Sequence, residues 1–565
     1  MIRLNGADIT IQLLERQGIE VIAGIPGGAI LPIYDAMCRR NRIKHILTRN
    51  EQGAGFIAQG IARVNHKPAV CMATSGPGAT NLLTAIADAK LDSIPVICIT
   101  GQVASDLLGK DSFQEVDICA MSRPVTKASF FARSGAELLK IIPGAFRISM
   151  SGKPGPVLID IPKDVQTTMV EFEEWPEPGM PDTPPCPNRI MIKEAADVIN
   201  EAKRPVIYAG GGAARSGAWE TVLHLAEKAN IPVAMSLMGL GIIPPDHPLS
   251  MGMLGMHGSS HANRAMEECD LLIAIGARFD DRATGKVSHF CPRAEVIHID
   301  IDPGELNKIK EARIGICGDA AAVLESLEPM VRKNKREVWL NRINTLRKTY
   351  RNLPEIRGNR SQPSEYISCI AGMLDSDALI VTDVGQHQMW IAQSFPFTRP
   401  GNLITSGGLG TMGFGIPTAI GAALAAPLKK VVCFTGDGSI MMNIQELATI
   451  AEQKIDVKII LFNNNALGLV RQQQELFYEN RLYSSSYFHM PDFTGMAKAF
   501  GINSYDIAES DSPMKTLEQE LNRKGTCLIH VPIDKNEKVF PMVPPGASNG
   551  EMIGEEKCSR SCIAA

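Results

Sequence analysis

Charge bias is missing from this 565-residue chain: 57 Lys and Arg stand against 61 Asp and Glu, a formal net charge of −4. A strongly basic or acidic surface is thereby excluded, and neither nucleic acid nor a membrane surface is expected as a partner. Aromatic residues make up only 5 % and the 13 cysteines form no CxxC pair and no metal-type Cys/His spacing. Cys71, Cys98 and Cys433 lie in apolar runs instead, so reduced thiols in a cytosol-like compartment are expected. A clean membrane span is missing too. Positions 400 to 428 carry no charge, but six glycines and Pro417 fall between Gly407 and Leu428. That pattern predicts a glycine-rich loop followed by a buried helix of small residues. The first residues enter an amphipathic pattern at once, with Asp8 and Glu15 among apolar neighbours, so neither a signal nor a transit peptide is expected.

What the chain does have is length, beyond what one hydrophobic core usually supports, and apolar β-type runs followed by helical patterns with little strict alternation. This is the signature of parallel sheets covered on both faces. Strands are predicted near 20–24, 44–48, 68–74, 94–100 and 156–161, then near 205–209, 271–275 and 296–300, then near 378–382, 431–435 and 457–462. The six prolines of 171–189 mark a linker. A charged, weakly patterned stretch from 332 to 362 is read as leading from the second block into the third. The expected fold class is α/β, with three doubly wound parallel-sheet domains at 1–170, 190–335 and 363–545, linkers at 171–189 and 336–362, and a tail at 546–565. The end of that tail, "GEEKCSRSCIAA", has too little apolar content to pack by itself.

In open parallel sheets ligands bind at the carboxyl ends of strands. The run "KKVVCFT" ends in Gly436-Asp437-Gly438-Ser439, and "VKIILF" ends in Asn463-Asn464-Asn465; Asp437 and Asn464 are 27 positions apart. One strand–helix–strand crossover brings both to the same sheet edge, where hard oxygen donors suit Mg²⁺ bridged to phosphate. The glycines admit phosphates close to the backbone, and a helix N-terminus follows. An ordinary Asp-Gly turn beside an Asn-rich loop is the alternative. The arrangement resembles the thiamine diphosphate motif, GDG followed about two dozen residues later by NN. That resemblance implies Asp437, Asn464 and the carbonyl of Ala466 as metal ligands.

Thiamine chemistry also needs a carboxylate to protonate the aminopyrimidine. "KHILTRNEQGAGFIAQGIAR" places Glu51 at the end of a strand and the start of a helix, where a capping or solvated glutamate is the alternative. "TSGGLGTMGFG" supplies Met412 as the apolar side chain over which the cofactor would bend, against plain core packing.

With these in place, "GIPGGAILPIYDA", "NEQGAGFIAQG", "TSGPGATN", "FQEVD", "GARFDDR", "DVGQHQMW" and "VFPMVPPGA", in this order, resemble the catalytic subunit of acetohydroxyacid synthase (acetolactate synthase) over nearly the whole chain, the bacterial isozyme I branch above all. The resemblance implies a thiamine diphosphate-binding fold with pyrimidine, FAD-associated and diphosphate domains, and thiamine diphosphate, Mg²⁺ and FAD as cofactors. It implies Glu51 as the activating glutamate, with Gly28, Phe113, Gln114 and Lys163 lining the reaction cleft. Thiamine diphosphate contacts would be Val384, Gly385, Gln386, His387, Gly410, Met412, Gly438, Ser439, Leu467 and Gly468. FAD contacts would be Lys153, Gly211, Gly212, Met256, His257, Arg278, Asp280, Arg282, Asp300, Asp319, Gln388 and Met389. "AGGGAARSG" lacks the third glycine of GxGxxG, so a dinucleotide fingerprint alone would be weak. Lys153 stands where the family usually has arginine, which keeps the charge and loses the planar guanidinium.

The implied reaction decarboxylates pyruvate and transfers the two-carbon unit to a second pyruvate or to 2-oxobutyrate, as in branched-chain amino acid biosynthesis. Arg282, Met256 and Gln473 are the candidate acceptor-substrate residues. A homodimer is the minimum implied, a tetramer the larger option, with Glu51 of one chain facing the metal loop of the other; feedback control would need a separate regulatory small subunit. Alternatives are another FAD- and thiamine-dependent enzyme such as pyruvate oxidase, or glyoxylate carboligase, which lacks the activating glutamate. A non-catalytic binding protein of this fold and a nucleotide-binding dehydrogenase are further off.

The run "LGLVRQQQELFY" is the family's point of departure. Many relatives have a tryptophan aligned to Gln473, lining the pocket for the acceptor's alkyl group. Leu469, Val470, Leu476 and Phe477 are predicted to mark the packed side of this helix, with Gln472 and Gln474 on a solvated face.

Overall fold

The computed structural model describes residues 1–350 and 363–554. Three six-stranded sheets follow one another along the chain, every neighbouring pair parallel. In the first, the order is Lys44–Leu47, Val21–Gly24, Ala69–Ala73, Val96–Gln102, Val157–Pro162, Ala128–Phe131. In the second it is Ser250–Met253, Val233–Met235, Pro205–Ala209, Leu271–Ile275, Glu295–Asp300, Ile314–Cys317. In the third it is Leu403–Ile404, Leu379–Thr382, Val431–Gly436, Lys458–Asn463, Cys527–Pro532, Asn503–Asp506. Central strands such as Val96–Gln102 and Leu271–Ile275 are buried at every position. Helices cover both of their faces, so apolar residues run on without alternating. An antiparallel ribbon of Ile2–Asn5 with Met169–Phe172 ties the ends of the first domain together.

The strands that periodicity does not announce are short or lie toward sheet edges. Val233–Met235 has three residues and Leu403–Ile404 two; Ala128–Phe131 is half-buried throughout. Between Phe172 and Arg189 no helix or strand forms. The stretch from 336, read as linker, instead opens with a helix, Glu337–Thr349. Trp339, Ile343 and Leu346 bury one face of it against the central domain, and Trp339 Nε1 donates to the Pro205 carbonyl at 3.0 Å. Charged residues on the remaining face hide that stripe in the sequence. The rest of that linker, 351–362, and the tail from 555 with Cys558 and Cys562 lie outside the described residues.

The uncharged stretch does contain a buried small-residue helix, Gly415–Ala425. It crosses Glu51–Asn65 so closely that a Cβ on Gly60 would lie 2.2 Å from the Thr418 carbonyl oxygen, and one on Gly421 2.1 Å from that of Ile57. Glycine alone permits this approach, which joins the first and third domains. Among the described residues no helix is long and apolar enough to cross a membrane.

Candidate active site

Three adjacent strands of the third sheet, Leu379–Thr382, Val431–Gly436 and Lys458–Asn463, deliver the loops at 383–387, 437–439 and 464–467 to one edge. Asp437 is buried; its Oδ1 accepts from Gly438 N at 2.8 Å and Oδ2 from Ala466 N at 3.1 Å. Burial pushes its carboxyl up to about 6, because the charged form is poorly solvated there; a divalent cation held at that carboxylate would compensate for this. Asn464 Nδ2 donates to Gln386 Oε1 at 2.9 Å while its Oδ1 accepts from Ala466 N at 3.2 Å. No group of three His, Cys, Asp or Glu placed to hold a metal ion exists among the described residues. The donor set here is one carboxylate, one amide and one backbone carbonyl, which suits a small hard cation completed by phosphate and water.

The same edge fits a diphosphate. His387 Nε2 is buried with no hydrogen-bond partner, and burial pushes its ring down to about 3, so it presents a neutral imidazole. Ser439 Oγ donates to the Val384 carbonyl at 2.7 Å. A Cβ on Gly438 would lie 2.9 Å from Leu467 and from the Tyr487 hydroxyl, and one on Gly468 1.9 Å from Gln386 Oε1. Met412 borders the same space, its Cε 3.4 Å from that Gly438 Cβ position.

Glu51 opens the helix Glu51–Asn65, with Asn50 as N-cap accepting from Gln52 N at 2.8 Å. Asn81 Nδ2 donates to Glu51 Oε2 at 2.9 Å. Gly28, Gln114 and Lys163 follow other strands of the first sheet at this carboxyl edge. Phe113, also on this edge, is 87 % exposed. No hydrogen bond or ion pair among the described residues links Glu51 to Asp437 or Asn464.

Two polar anchors went unread in the sequence because their partners are hundreds of residues away. Glu446 Oε1 accepts from Arg49 N at 2.9 Å and Asn50 N at 3.1 Å, so a third-domain carboxylate fixes the start of the Glu51 helix. The second anchor holds the Gly410–Met412 loop. Asp92 accepts from Gly408 N at 2.7 Å, Gly407 N at 3.0 Å and Arg63 Nη2 at 2.7 Å. Asp88 accepts from Thr411 Oγ1 at 2.8 Å and from Ser406 Oγ. Arg215 of the central domain donates to the Asp92 carbonyl at 3.2 Å, so all three domains meet at this residue. Removing one member of a buried ionic group strands the others. Asp92→Ala is expected to cost about 3–5 kcal/mol, read as a lower urea midpoint for the first unfolding transition; an unmoved midpoint would contradict it.

Most FAD candidates share the carboxyl edge of the second sheet, while Lys153 comes from the first domain and Gln388 and Met389 from a helix of the third. Gly211 and Gly212 follow Pro205–Ala209, Arg278 and Asp280 follow Leu271–Ile275, Asp300 ends its strand and Asp319 follows Ile314–Cys317. Gly212 packs on the Gly276 backbone, 2.6 Å from a would-be Cβ, so a backbone cradle forms without the full fingerprint. Asp280 and Asp319 each cap a helix N-terminus. Lys153 reaches this edge from the first domain and pairs with Glu305 at 2.7 Å and Asp302 at 3.5 Å. Gln388 is buried, donating to Thr405 Oγ1 at 2.8 Å, and Met389 is half-buried beside it. Arg282 is exposed, its Nη1 donating to Met256 Sδ at 3.3 Å. His257 lies next to Met256 with its ring 3.4 Å from the Pro541 carbonyl.

The glutamine run forms the helix Gly468–Phe477, but its packed side differs from the expected one. Val470 is 48 % and Phe477 37 % exposed, and the fully buried residue is Gln472. Gln474 is half-buried; it donates to the Tyr483 carbonyl at 2.8 Å and accepts from Ser485 Oγ at 2.6 Å. Neither flanking glutamine is a solvated bystander. A buried amide is tolerated when backbone groups satisfy it, and hydrophobicity alone does not reveal that. Gln473 is the exposed member.

Comparison with known proteins gives this geometry its class. Residues 4–121, 192–327 and 383–531 match the N-terminal TPP binding, central and C-terminal TPP binding domains of thiamine pyrophosphate enzymes. Within that class the chain is 54 % identical over 98 % of both chains to the acetolactate synthase isozyme 1 large subunit of Escherichia coli. It is 44 % identical to the isozyme 2 large subunit of the same organism, over 97 % of this chain and 99 % of that one. A probable acetolactate synthase large subunit of Methanocaldococcus jannaschii is also 44 % identical, over 96 % and 94 %. The chain belongs to the acetolactate synthase large subunit family.

Proposed function

We propose that the chain decarboxylates pyruvate with thiamine diphosphate and joins the two-carbon unit to pyruvate or 2-oxobutyrate. The observation that carries this is the placement of Asp437 and Asn464 on adjacent strand ends of one sheet, with Glu51 on the carboxyl edge of another. Bound there, thiamine diphosphate supplies the electron sink for decarboxylation. The chain's own residues do the rest. Asp437, Asn464 and the Ala466 carbonyl would hold Mg²⁺; Gln386, His387, Gly438 and Ser439 would receive the diphosphate; Val384, Gly385, Gly410, Leu467 and Gly468 would shape its backbone cradle; Met412 would support the cofactor. Glu51 gives its proton to N1′ of the aminopyrimidine. Gly28, Phe113, Gln114 and Lys163 line the cleft mouth. Arg282 takes the acceptor's carboxylate, since a guanidinium fixes charge and orientation together, and Met256 packs on its alkyl group. FAD would be held by the residues at the second sheet's carboxyl edge, among them Arg278, Asp280, Asp300 and Asp319.

Glu51 of one chain and Asp437 of another would form each complete site, which makes a homodimer the working unit in a bacterial cytoplasm; the exposed Phe113 beside a half-site supports that pairing. The relatives' designation as large subunits supports a separate regulatory small subunit. The test is to incubate the protein with pyruvate, thiamine diphosphate, Mg²⁺ and FAD and assay acetolactate. A folded, cofactor-loaded protein that makes none, or makes a pyruvate-dependent redox product instead, would overturn the reading.

Gln473 is the proposed specificity position. An extra methylene in an apolar pocket is worth about 1–3 kcal/mol, and a glutamine supplies no aromatic wall for it. The wild type is therefore expected to discriminate weakly between 2-oxobutyrate and pyruvate as acceptor, and to resist inhibitors that stack on the family's tryptophan. Gln473→Trp should raise the 2-oxobutyrate preference about tenfold or more, measured by competition between the two acids. A strong preference in the wild type that Gln473→Trp leaves unchanged would rule this out.

A further inference from the structure

The helix Gly468–Phe477 carries one buried residue, the amide Gln472. Its Oε1 accepts from Val539 N at 2.9 Å and from Gln386 Nε2 at 3.2 Å, while its Nε2 donates to the Val539 carbonyl at 2.9 Å. One side-chain amide thus closes both backbone groups of Val539, as a neighbouring strand would. Gln386 also donates to the Glu537 carbonyl at 2.9 Å, and its own Oε1 is taken by Asn464 Nδ2 at 2.9 Å. Every orientation in the chain is fixed. Asn464 Oδ1 accepts from Ala466 N, so its amide nitrogen must face Gln386, whose nitrogen must then face Gln472.

The segment held this way, 537–543, crosses to the central domain. Gln393 Nε2 bridges the Phe540 carbonyl at 3.3 Å and the His257 carbonyl at 2.9 Å. Val543 N donates to the Met256 carbonyl at 2.8 Å, and Met256 N donates to the Arg282 carbonyl at 2.7 Å. A run of hydrogen bonds therefore leads from the candidate cation ligand Asn464 through Gln386, Gln472 and the strap 537–543 to Met256 and Arg282.

We propose that Gln472 is a positioning residue that straps 537–543 to the metal loop, so that the cation site and the acceptor side are set together. This rests on the assignment of Asn464 to the cation and Arg282 to the acceptor acid. A merely structural glutamine would affect stability and nothing at the cation. Gln472→Met keeps volume and apolar fit beside Met542 while deleting every hydrogen bond.

The experiment uses the full chain loaded with thiamine diphosphate, Mg²⁺ and FAD, and compares wild type, Gln472→Met and Gln472→Glu. Limited trypsin digestion reads cleavage at Lys535 and Lys538, and Mg²⁺ titration reads the half-saturating concentration. Leaving buried backbone partners unsatisfied should accelerate cleavage and raise the Mg²⁺ requirement, each about tenfold in Gln472→Met. Gln472→Glu, which keeps the acceptor oxygen, should fall between, and it carries the test if the methionine variant does not fold. Unchanged cleavage together with an unchanged Mg²⁺ requirement in an acetolactate-forming enzyme would overturn this inference alone. A wild type that forms no acetolactate would overturn the site assignment beneath it.

Discussion

Glu51→Gln is expected to lower kcat for acetolactate formation about 10²–10⁴-fold, the range for loss of a positioned general acid or base, while thiamine diphosphate and Mg²⁺ still bind. The substitution is nearly isosteric, so the bond from Asn81 Nδ2, 2.9 Å to Oε2 in the native protein, can be kept by the amide oxygen. The Asn50 cap and the Glu446 bonds to Arg49 N and Asn50 N do not involve the carboxylate and hold the helix start in place. What disappears is the transferable proton. Steady-state acetolactate formation and a cofactor titration on the same preparation separate the two effects. Wild-type kcat in Glu51→Gln would remove Glu51 from the mechanism.

Asp437→Ala acts one step earlier, on the cation. Of the three candidate ligands only Asp437 carries formal charge; Asn464 contributes an amide and Ala466 a carbonyl. Removing the charged partner of a buried cation costs about 3–5 kcal/mol, and so about 10²–10³-fold or more in affinity. Calorimetric titration with Mg²⁺ and thiamine diphosphate together should show binding lost at concentrations that saturate the wild type. FAD retention should be largely unaffected, because most of its candidate residues belong to the second sheet and only Gln388 and Met389 to the third domain. Unaltered Mg²⁺ affinity in Asp437→Ala would exclude Asp437 as a ligand. The contrast with Glu51→Gln, which binds but does not turn over, distinguishes the holder of the cofactor from the group that activates it.

Much of this arrangement is legible before any coordinates. Strands such as Val96–Gln102 and Lys458–Asn463 announce themselves through long β-branched runs, and the residues that follow them carry unusual glycine, aspartate and asparagine. Sequence spacing therefore brings Asp437 near Asn464. It does not reveal Glu446 reaching back to Asn50, or Asp88 and Asp92 holding the Ser406–Thr411 turn, because nothing local encodes a partner hundreds of residues away. The helix Glu337–Thr349 is missed for the opposite reason: its apolar stripe is short and its charged face dominates the window. Gln472 shows the limit of reading burial from polarity, since both ends of its amide are answered by the Val539 backbone.

The bonds from Val543 to Met256 and from Gln472 to Val539 bear on how the molecule is made. During synthesis the first two sheets can form early, domain by domain. Met256 nevertheless gains its bond from Val543 only when residues 537–543, which follow the last strand of the third sheet, leave the ribosome. A truncated or nascent product that lacks 537–543 can therefore hold folded sheets while the Met256 carbonyl still waits for its partner.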